Sequence, residues 1–357
     1  MPKSISEPEL RVPGMRFDVP LADLTTLRVG GPARRLIAVA TEAGLLECIR
    51  DLDARQEPVL ILGGGSNLLV ADAGFDGTVV KIETRGVQAD ISGCSGGILS
   101  VAAGEDWDAL VVRTLEEEMV GLEAMSGIPG LVGATPMQNV GAYGAEVAES
   151  IETVRTYDRK NREIRTFAAA ECGFSYRSSR FKTCAGRYVI LSVTFQLRLG
   201  SMSSPIRYPE LARALEVELN SRAPATAVRE AVLGLRRAKG MVLDEDDPDT
   251  WSAGSFFTNP ILDAQQSAAL PADAPRFPQP DGCVKTSAAW LIERAGFGKG
   301  FGAGAARVSN KHSLALTNRG AASAADLVEL ARQVRAGVRA RFGLTLVPEP
   351  ALVGCEL

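Results

Sequence analysis

The segment WSAGSFFTNP, residues 251–260, places one hydroxyl group between a glycine and two phenylalanines. Gly254 has no Cβ, so backbone or ligand atoms can approach it closely. The two phenylalanines favour burial and would keep water away from the neighbouring hydroxyl group. Ser255 can therefore be either a structural cap at the end of a strand or a shielded proton donor, and the segment alone favours the cap.

The sequence contains a single histidine, His312, among 357 residues. A Ser-His-Asp triad is possible only through this residue. A histidine-rich metal site is excluded, and we predict no metal. Redox or acid–base chemistry in this chain must therefore depend on other side chains or on a bound cofactor.

Two glycine-rich segments could contact an anionic ligand. LGGGSN, residues 62–67, follows a predicted buried strand, and SGIPGLVGATPMQNVGAYGAE, residues 126–146, interleaves glycines with apolar side chains. The first segment lacks the third glycine of a dinucleotide fingerprint and the lysine of a P-loop. It fits a tight turn or a phosphate-binding loop. Together the segments suggest one extended ligand with two phosphates, such as FAD, with unrelated glycine turns as the alternative.

Two further segments carry charges in unusual settings. FSYRSSRFK, residues 174–182, contains Arg177 and two other cations, which fits a solvated loop or a clamp for a carboxylate or diphosphate. Glu349 lies between two prolines in the apolar segment 346–353. It is either an exposed residue at a sheet edge or a carboxylate that meets a cation or takes part in chemistry.

The composition narrows the class of protein. A net charge of −4 argues against a nucleic-acid-binding protein. No apolar run is long enough to cross a membrane, and the N-terminus lacks the apolar core of a signal peptide. The six cysteines form no C-x-x-C pair, which favours free thiols and a cytoplasmic location. The acidic run 244–249 favours a solvated loop over a metal site.

The length of 357 residues suggests two or three domains, and the hydrophobic periodicity predicts a fold of the α+β class. Ser323 and Asp326 resemble a capping box, and Gly343 is a typical stop for the helix that they begin. The predicted strands are residues 34–40, 58–62, 77–82 and 187–199 with a hairpin over 152–167, and the predicted helices are 41–54, 106–119, 227–240, 286–296 and 323–343.

Together these segments resemble the UDP-N-acetylenolpyruvoylglucosamine reductase family. The glycine-rich segments resemble the wider FAD-binding fold of vanillyl-alcohol-oxidase-type enzymes, whereas AGSFFTNP and PEP are more specific to the reductases. RYPEL, which contains Tyr208, resembles the type I form with a mobile tyrosine loop. The segments that carry the resemblance are, in chain order, TTLRVGGPAR (25–34), ILGGGSNLLV (61–70), the 126–146 segment, YRSSRFK (176–182), AGSFFTNP (253–260), AAWLIERAG (288–296), SNKHSLALTN (309–318) and PEP (348–350).

The resemblance implies a two-part FAD-binding fold of small α/β units with an inserted α+β substrate-binding domain. The expected division is a flexible N-terminal tail (1–16), a first FAD-binding subdomain (17–84, completed by 344–357), a second FAD-binding subdomain (85–235) and a substrate-binding domain (236–343).

The resemblance also implies a reaction. NADPH would reduce FAD, and FAD would then reduce UDP-N-acetylglucosamine enolpyruvate to UDP-N-acetylmuramate for peptidoglycan synthesis. Ser255 would protonate the enol that hydride transfer leaves, and Arg177 and Glu349 would stabilise that enol. If both act on one intermediate they must meet in space, so the C-terminal strand must return to the first unit. The implied partners are the nucleotide sugar and NADPH, with no nucleic acid or membrane, and we expect a monomer.

The resemblance assigns binding roles to a larger set of residues. The nucleotide-sugar contacts that it implies are Tyr208, Lys239, Asn259 and His312. The FAD contacts that it implies are Gly63, Gly64, Gly65, Ser66, Asn67, Ser126, Gly127, Pro129, Gly130, Gly133, Ala134, Gln138, Asn139, Gly141, Ala142, Tyr143 and Gly144.

Two other functions remain open from the residues. One is an FAD-dependent oxidase of the same broad fold, which would use the same glycine-rich segments but would not need Ser255 or Glu349. The other is a flavin- or nucleotide-sugar-binding sensor, which would bind its ligand without oxidising NADPH.

Overall fold

The structure, a computed structural model, describes residues 14–92 and 96–357. The first unit begins with a small mixed sheet in the order β1-β2-β5-β3, in which β2, β5 and β3 run parallel. Thr41 caps the helix between β2 and β3, because its hydroxyl accepts a hydrogen bond from the Gly44 N–H. The elements of this unit are β1 (Met15–Pro20), β2 (Pro32–Val39), α1 (Glu42–Ala54), β3 (Val59–Leu62), β4 (Leu68–Val70) and β5 (Phe75–Ile82).

The predicted tail over residues 1–16 falls largely outside the described residues, which begin at residue 14. Its last two residues are in β1, where Met15 pairs with Ile37 and Arg16 pairs with Leu36. The prediction is wrong for these two residues, because antiparallel pairing with β2 fixes their backbone. The ordered fold therefore includes Met15 and does not start at Phe17.

The second unit is an antiparallel sheet in the order β12-β11-β13-β7-β6, with β8 added beside β13. The predicted helix over 106–119 is shorter than expected, because Asp106 is its N-cap and Met119 belongs to β8. The elements of this unit are β6 (Val87–Ser92), β7 (Gly96–Ala102), α2 (Trp107–Glu116), β8 (Met119–Val120), β9 (Gly141–Ala142), β10 (Ala145–Glu146), β11 (Ile151–Asp158), β12 (Glu163–Ala168), α3 (Arg180–Thr183) and β13 (Tyr188–Leu199).

The third unit consists of helices and very short strands. The boundary expected between residues 235 and 236 falls inside a helix, because α5 continues to Ala238 without a break. The elements are α4 (Pro209–Ala214), α5 (Ala225–Ala238), β14 (Ile261–Leu262), α6 (Ala264–Ala269), β15 (Phe277–Pro278), β16 (Val284–Lys285), α7 (Ala288–Arg294), β17 (Ala306–Val308), β18 (Leu316–Asn318), α8 (Ala324–Phe342) and β19 (Ala351–Val353). Six 3-10 helices cover Leu21–Leu24, Glu123–Met125, Val132–Ala134, Val147–Glu149, Ala169–Cys172 and Pro248–Thr250 among the described residues.

The C-terminal strand returns to the beginning of the fold. β19 runs parallel to β4, with Ala351 opposite Leu68. Just before β19, the Glu349 N–H donates to the Phe256 carbonyl at 2.8 Å. The segment that ends in β19 is therefore held between the first unit and the 251–260 segment. The return that a shared Arg177–Glu349 site requires is confirmed.

Two expectations from composition can be compared with the described residues. All five cysteines in the described ranges are free, and Cys94 lies outside those ranges. No helix of the described chain is long and apolar enough to cross a membrane.

Candidate active site

A cavity of about 850 Å³ lies where the two glycine-rich segments meet the 251–260 segment. Its walls include all three residues expected to act in catalysis and all four expected to contact the nucleotide sugar. The residues from those two sets are Arg177, Ser255, Glu349, Tyr208, Lys239, Asn259 and His312. Of the expected FAD contacts, the walls include Gly63, Gly64, Gly65, Ser66, Asn67, Pro129, Gly130, Ala134, Gln138, Gly141, Ala142, Tyr143 and Gly144.

The two glycine-rich segments pack backbone to backbone. A Cβ atom at Gly64 would lie 2.8 Å from the Gly130 Cα, and a Cβ at Gly130 would lie 2.8 Å from the Ser66 Oγ. Gly65 has φ +62°, and a Cβ there would lie against the Leu24 carbonyl. Only glycine permits these approaches. The segments therefore form one continuous wall of the cavity.

This wall carries unpaired backbone donors. The N–H groups of residues 63–67 make no hydrogen bond to any described residue, although all five residues line the cavity. Consecutive N–H groups without acceptors favour an anion such as a pyrophosphate. Ile128, Leu131 and Met137 add apolar surface to the same cavity. The residues therefore fit FAD, with a diphosphate at the free amides and a ring system against the apolar side chains.

Four expected FAD contacts do not line the cavity: Ser126, Gly127, Gly133 and Asn139. Ser126 is fully buried, and its hydroxyl donates to the Glu123 carbonyl at 2.7 Å. The Asn139 amide nitrogen donates to the Glu146 carboxylate at 2.6 Å. A Cβ at Gly133 would lie 2.6 Å from that of Ala103, so this glycine permits close packing. These residues lie outside the cavity walls and hold the segment that forms the wall, and their contact with FAD stays a prediction.

Arg177 and Glu349 meet at one side of the cavity. The Arg177 Nε lies 3.0 Å from the Glu349 Oε1, so their expected proximity is confirmed. The Arg177 Nη2 also donates to the Gly141 carbonyl at 2.7 Å. The backbone of Arg177 has φ +52°, a left-handed conformation that costs energy for a residue with a side chain. The surrounding contacts therefore fix this guanidinium between a glycine-rich segment and the C-terminal strand.

The Glu349 carboxyl group is buried beside two cations, and burial is the larger influence on its pKa. Burial raises the pKa of Glu349, while Arg177 and Lys182 oppose that shift. Burial also lowers the pKa of Lys182, which lies in the same network. A carboxyl group with a raised pKa beside a fixed guanidinium can hold a proton next to a bound carboxylate.

Ser255 does not cap a backbone group. Its hydroxyl makes no hydrogen bond to any residue that the structure describes, so the structural alternative is wrong there. Gly254 has φ +69°, and beyond its two chain neighbours no described residue has a heavy atom within 4 Å of where its Cβ would be. Phe256 and Phe257 are each 1% exposed behind the hydroxyl. Ser255 therefore lines the cavity with a hydroxyl group that is available to a ligand, and the residues that follow it are buried.

Tyr208 and Lys239 lie together at another part of the cavity wall. Tyr208, just before α4, is 40% exposed, and its ring packs edge-on against Tyr143 with centroids 5.5 Å apart. The Lys239 ammonium lies 5.4 Å from the centre of the Tyr143 ring and pairs with the Glu210 carboxylate. A cation and a phenol side by side are suited to binding a phosphate group.

Asn259 and His312 are positioned by hydrogen bonds of their own segments. The Asn259 side-chain oxygen accepts from the Ala288 N–H at 2.9 Å. The Ser309 hydroxyl accepts from the His312 N–H at 3.1 Å and donates to the buried Asp249 carboxylate at 2.9 Å. Asp249 therefore anchors the loop that carries His312 into the cavity.

The stability of the protein should depend on His312 in mildly acidic solution. Burial, with Lys239 and Lys299 nearby, lowers the pKa of His312 from 6.5 to about 4. Between these values the unfolded state binds more protons, so the free energy of unfolding should fall as pH falls from 6.5 towards 4. Between pH 7 and 5 the free energy of unfolding should fall in both proteins, and we expect the fall in His312→Asn to be about 1 to 2 kcal/mol smaller than in wild type. Urea denaturation at both pH values measures this difference, and equal losses would contradict it.

Two residues of the acidic run 244–249 form ion pairs with basic residues of the same unit. Asp247 pairs with Lys311, and Asp249 pairs with Arg319. Glu245 has a side chain that is 89% exposed. No group of three potential metal ligands occurs in residues 14–92 and 96–357.

Tyr176, Arg236 and Lys285 are among the cavity residues that were not expected as site residues. Arg236 is 8% exposed, and its Nε has no hydrogen-bond partner in the part of the chain that the structure describes. Burial lowers the pKa of Arg236 to about 10. A signal for it exists in the sequence, because Val228, Val232 and Arg236 recur every fourth residue on α5. A charged residue that continues an apolar stripe is a candidate for a buried functional role.

The sequence matches two described families and many related proteins. Residues 246–353 match the C-terminal domain of UDP-N-acetylenolpyruvoylglucosamine reductase, and residues 33–166 match an FAD-binding domain. The reductase of that name from Cutibacterium acnes is 58% identical over 343 residues, covering 95% of this chain and 90% of that protein. The one from Streptomyces avermitilis is 54% identical over 351 residues, covering 95% of each.

A solved structure gives the same result. The crystal structure of UDP-N-acetylenolpyruvylglucosamine reductase from Thermus caldophilus superposes with a TM-score of 0.65 at 27% identity, covering 95% of this chain and 99% of that one. With the cavity, its free amides and the Arg177–Glu349 pair already described, these matches show that the chain belongs to the UDP-N-acetylenolpyruvoylglucosamine reductase family.

Proposed function

We propose that this FAD-dependent oxidoreductase reduces the enolpyruvyl group of UDP-N-acetylglucosamine enolpyruvate, with NADPH as the electron source, to give UDP-N-acetylmuramate for peptidoglycan synthesis. The observation that carries the proposal is the convergence of three groups on one cavity. The Arg177–Glu349 pair and the free hydroxyl of Ser255 line the same space as the unpaired amides of residues 63–67. FAD bound at those amides supplies the hydride that the enolpyruvyl double bond accepts.

Arg177 and Glu349 would act on the substrate carboxylate. Hydride addition to the terminal carbon leaves negative charge on the neighbouring carbon, and that charge spreads into the attached carboxylate. The Arg177 guanidinium, fixed by Glu349 and by the Gly141 carbonyl, would oppose this charge without having to move. Glu349, whose pKa burial raises, would donate a hydrogen bond from its protonated form.

Ser255 would complete the reaction by protonating the same carbon. A serine hydroxyl is a weak acid in water, but a carbanion-like enol is a strong base. Position therefore matters more than acidity, and the buried Phe256 and Phe257 hold the hydroxyl where water is excluded. The proton that leaves Ser255 forms the new C–H bond, and the serine is reprotonated from solvent afterwards.

Tyr208 would contact the diphosphate of the nucleotide sugar. We expect Tyr208→Phe to raise the KM for the nucleotide sugar about fivefold, because one hydrogen bond is lost while the ring is kept. Reduction by NADPH should change little. Steady-state kinetics measure the first effect and stopped-flow reduction the second. Tyr157→Phe is the matched control, because the Tyr157 hydroxyl is buried outside the cavity and has no hydrogen-bond partner among the described residues. An unchanged KM in Tyr208→Phe would refute the contact.

The remaining parts of the proposal concern organisation and location. Two parts of the chain would bind FAD. One is residues 15–82 together with the segment around β19, and the other runs from residue 83 to the end of α5. Residues 239–343 would bind the nucleotide sugar. UDP-linked precursors and NADPH are cytoplasmic metabolites, which supports a cytoplasmic reaction. We expect a monomer, and light scattering of the purified protein tests this.

The proposed function is tested with purified protein. We expect flavin absorbance, and rapid NADPH consumption only when the enolpyruvyl nucleotide sugar is present. Oxygen-driven turnover of an alcohol or sugar, without need of that substrate, would favour the oxidase alternative. Tight binding of flavin or nucleotide sugar without NADPH oxidation would favour the sensor alternative.

A further inference from the structure

A closed ring of hydrogen bonds begins and ends at Glu349. The Asn67 side-chain nitrogen donates to the Glu349 backbone carbonyl at 3.3 Å and to the Gln138 Oε1 at 2.8 Å. The Gln138 Nε2 in turn donates to the Glu349 Oε1 at 3.1 Å. The two amides come from the two glycine-rich segments, so the ring joins both segments to Glu349, one at its backbone carbonyl and one at its carboxyl group.

Chemistry fixes the direction of every bond in this ring. A backbone carbonyl can only accept, so Asn67 must turn its NH₂ group towards Glu349. That NH₂ group can only donate, so Gln138 must face it with its oxygen. The Lys182 ammonium lies 3.4 Å from the same Gln138 oxygen, and it too can only donate. Two separate neighbours therefore orient the Gln138 amide, and its NH₂ group must face the Glu349 carboxyl group.

The orientation of Gln138 makes the two carboxyl oxygens of Glu349 different. Oε1 accepts from the Gln138 Nε2 and also lies 3.0 Å from the Arg177 Nε. A proton on Oε1 would face two N–H donors, which is unfavourable. Oε2 makes no hydrogen bond to a residue in the described ranges.

We propose that Asn67 and Gln138 are positioning residues that keep Oε1 of Glu349 as an acceptor, so that the proton with which Glu349 would hydrogen-bond the substrate is carried by Oε2. Building on the proposed function, this assigns Gln138 a role in directing a proton, in addition to its place on the cavity wall. Lys182 supports the orientation of Gln138 from the opposite side. The charged and titratable groups that face Glu349 are Arg177, Lys182 and the Tyr176 phenol.

The proposal predicts a vibrational signature that does not depend on turnover. With the proton on Oε2, the C=O bond ends at Oε1, which has two hydrogen-bond donors. We expect the infrared C=O stretch of protonated Glu349, identified by its loss in Glu349→Gln, to lie at low frequency. Gln138→Met removes one donor and should shift the band to higher frequency. The band is followed by lowering the pH of the FAD-loaded enzyme without substrate. Gln88→Met, at an exposed position of β6, is the control and should not move it.

The rates of the two half-reactions provide a second test of the role of Gln138. Gln138→Met should slow oxidation of the reduced enzyme by the nucleotide sugar roughly tenfold or more, with NADPH reduction unchanged. Its pH profile should shift upward, since a donor to the ionised carboxylate is lost. An infrared band in Gln138→Met at the wild-type frequency would overturn the proposal. An equal loss of rate in both half-reactions would also overturn it, because it would assign Gln138 to cofactor binding alone. If wild-type enzyme does not react with the nucleotide sugar, the proposed function fails, while the infrared result still decides the position of the proton.

Discussion

Ser255→Ala is expected to lower kcat of the complete reaction by about 10²- to 10⁴-fold, because a positioned proton donor is removed. Reduction by NADPH should proceed at the wild-type rate, since that step needs no proton from Ser255. Oxidation of the reduced enzyme by the nucleotide sugar should continue in part, because hydride transfer precedes protonation. Stopped-flow absorbance of the flavin in the two half-reactions measures both effects.

Thr258→Val is the matched control for this change. Thr258 lies in the same segment but outside the cavity, and within the described ranges its hydroxyl hydrogen-bonds only to the Val347 carbonyl, at 3.4 Å. We expect near wild-type kcat for this variant. If Ser255→Ala slows reduction by NADPH as much as it slows the complete reaction, Ser255 positions the cofactor and does not donate the proton.

Arg177→Lys is expected to slow the nucleotide-sugar half-reaction by about 10²- to 10³-fold, the typical cost of losing a donor aimed at developing charge. Lysine keeps the charge but lacks the planar fork that binds Glu349, Gly141 and a substrate carboxylate together. Glu349→Gln should slow the same half-reaction by a similar factor, because the amide cannot carry the proton. NADPH reduction should persist in both variants.

The double variant tests whether the two residues act as a unit. Because Arg177 and Glu349 are in direct contact and would stabilise one intermediate, their combined effect should be much smaller than the product of the single effects. The measurement is a double-mutant cycle on the rate of the nucleotide-sugar half-reaction. Effects that multiply in full would show that the two side chains act on separate steps.

Local signals in the sequence predicted the long elements of the fold. The helix over 323–343 is observed as α8, and its Ser323–Asp326 capping box and left-handed Gly343 are present. The alternating segment 187–199 is observed as β13. Strands of two or three residues, such as β14 and β17, were not predicted, because so few residues show no periodicity. Their pairing depends on tertiary packing, which a local pattern does not contain.

The site was predictable where a motif fixes both residue type and neighbours. Arg177, Ser255 and Glu349 line one cavity as expected, although their chemical roles remain predictions. A motif does not fix the partner of each side chain in it. Asn139 lies in a glycine-rich segment that suggested a ligand contact, but its amide nitrogen donates to the Glu146 carboxylate. Arg236 was missed for the opposite reason, since a helix pattern hides a polar residue that faces a cavity. Sequence spacing indicates which residues are near each other along the chain, but not which way a side chain turns.

The pairing of β19 with β4 makes the order of synthesis matter for this site. The glycine-rich segments are synthesised early, whereas Glu349 and β19 are synthesised only after nearly all other residues of the three units. Until then β4 lacks its partner strand and Arg177 lacks its carboxylate. A nascent chain can thus build much of the cofactor wall before it can perform the reaction. The Arg177–Glu349 pair can therefore form only after the three units described above have been synthesised.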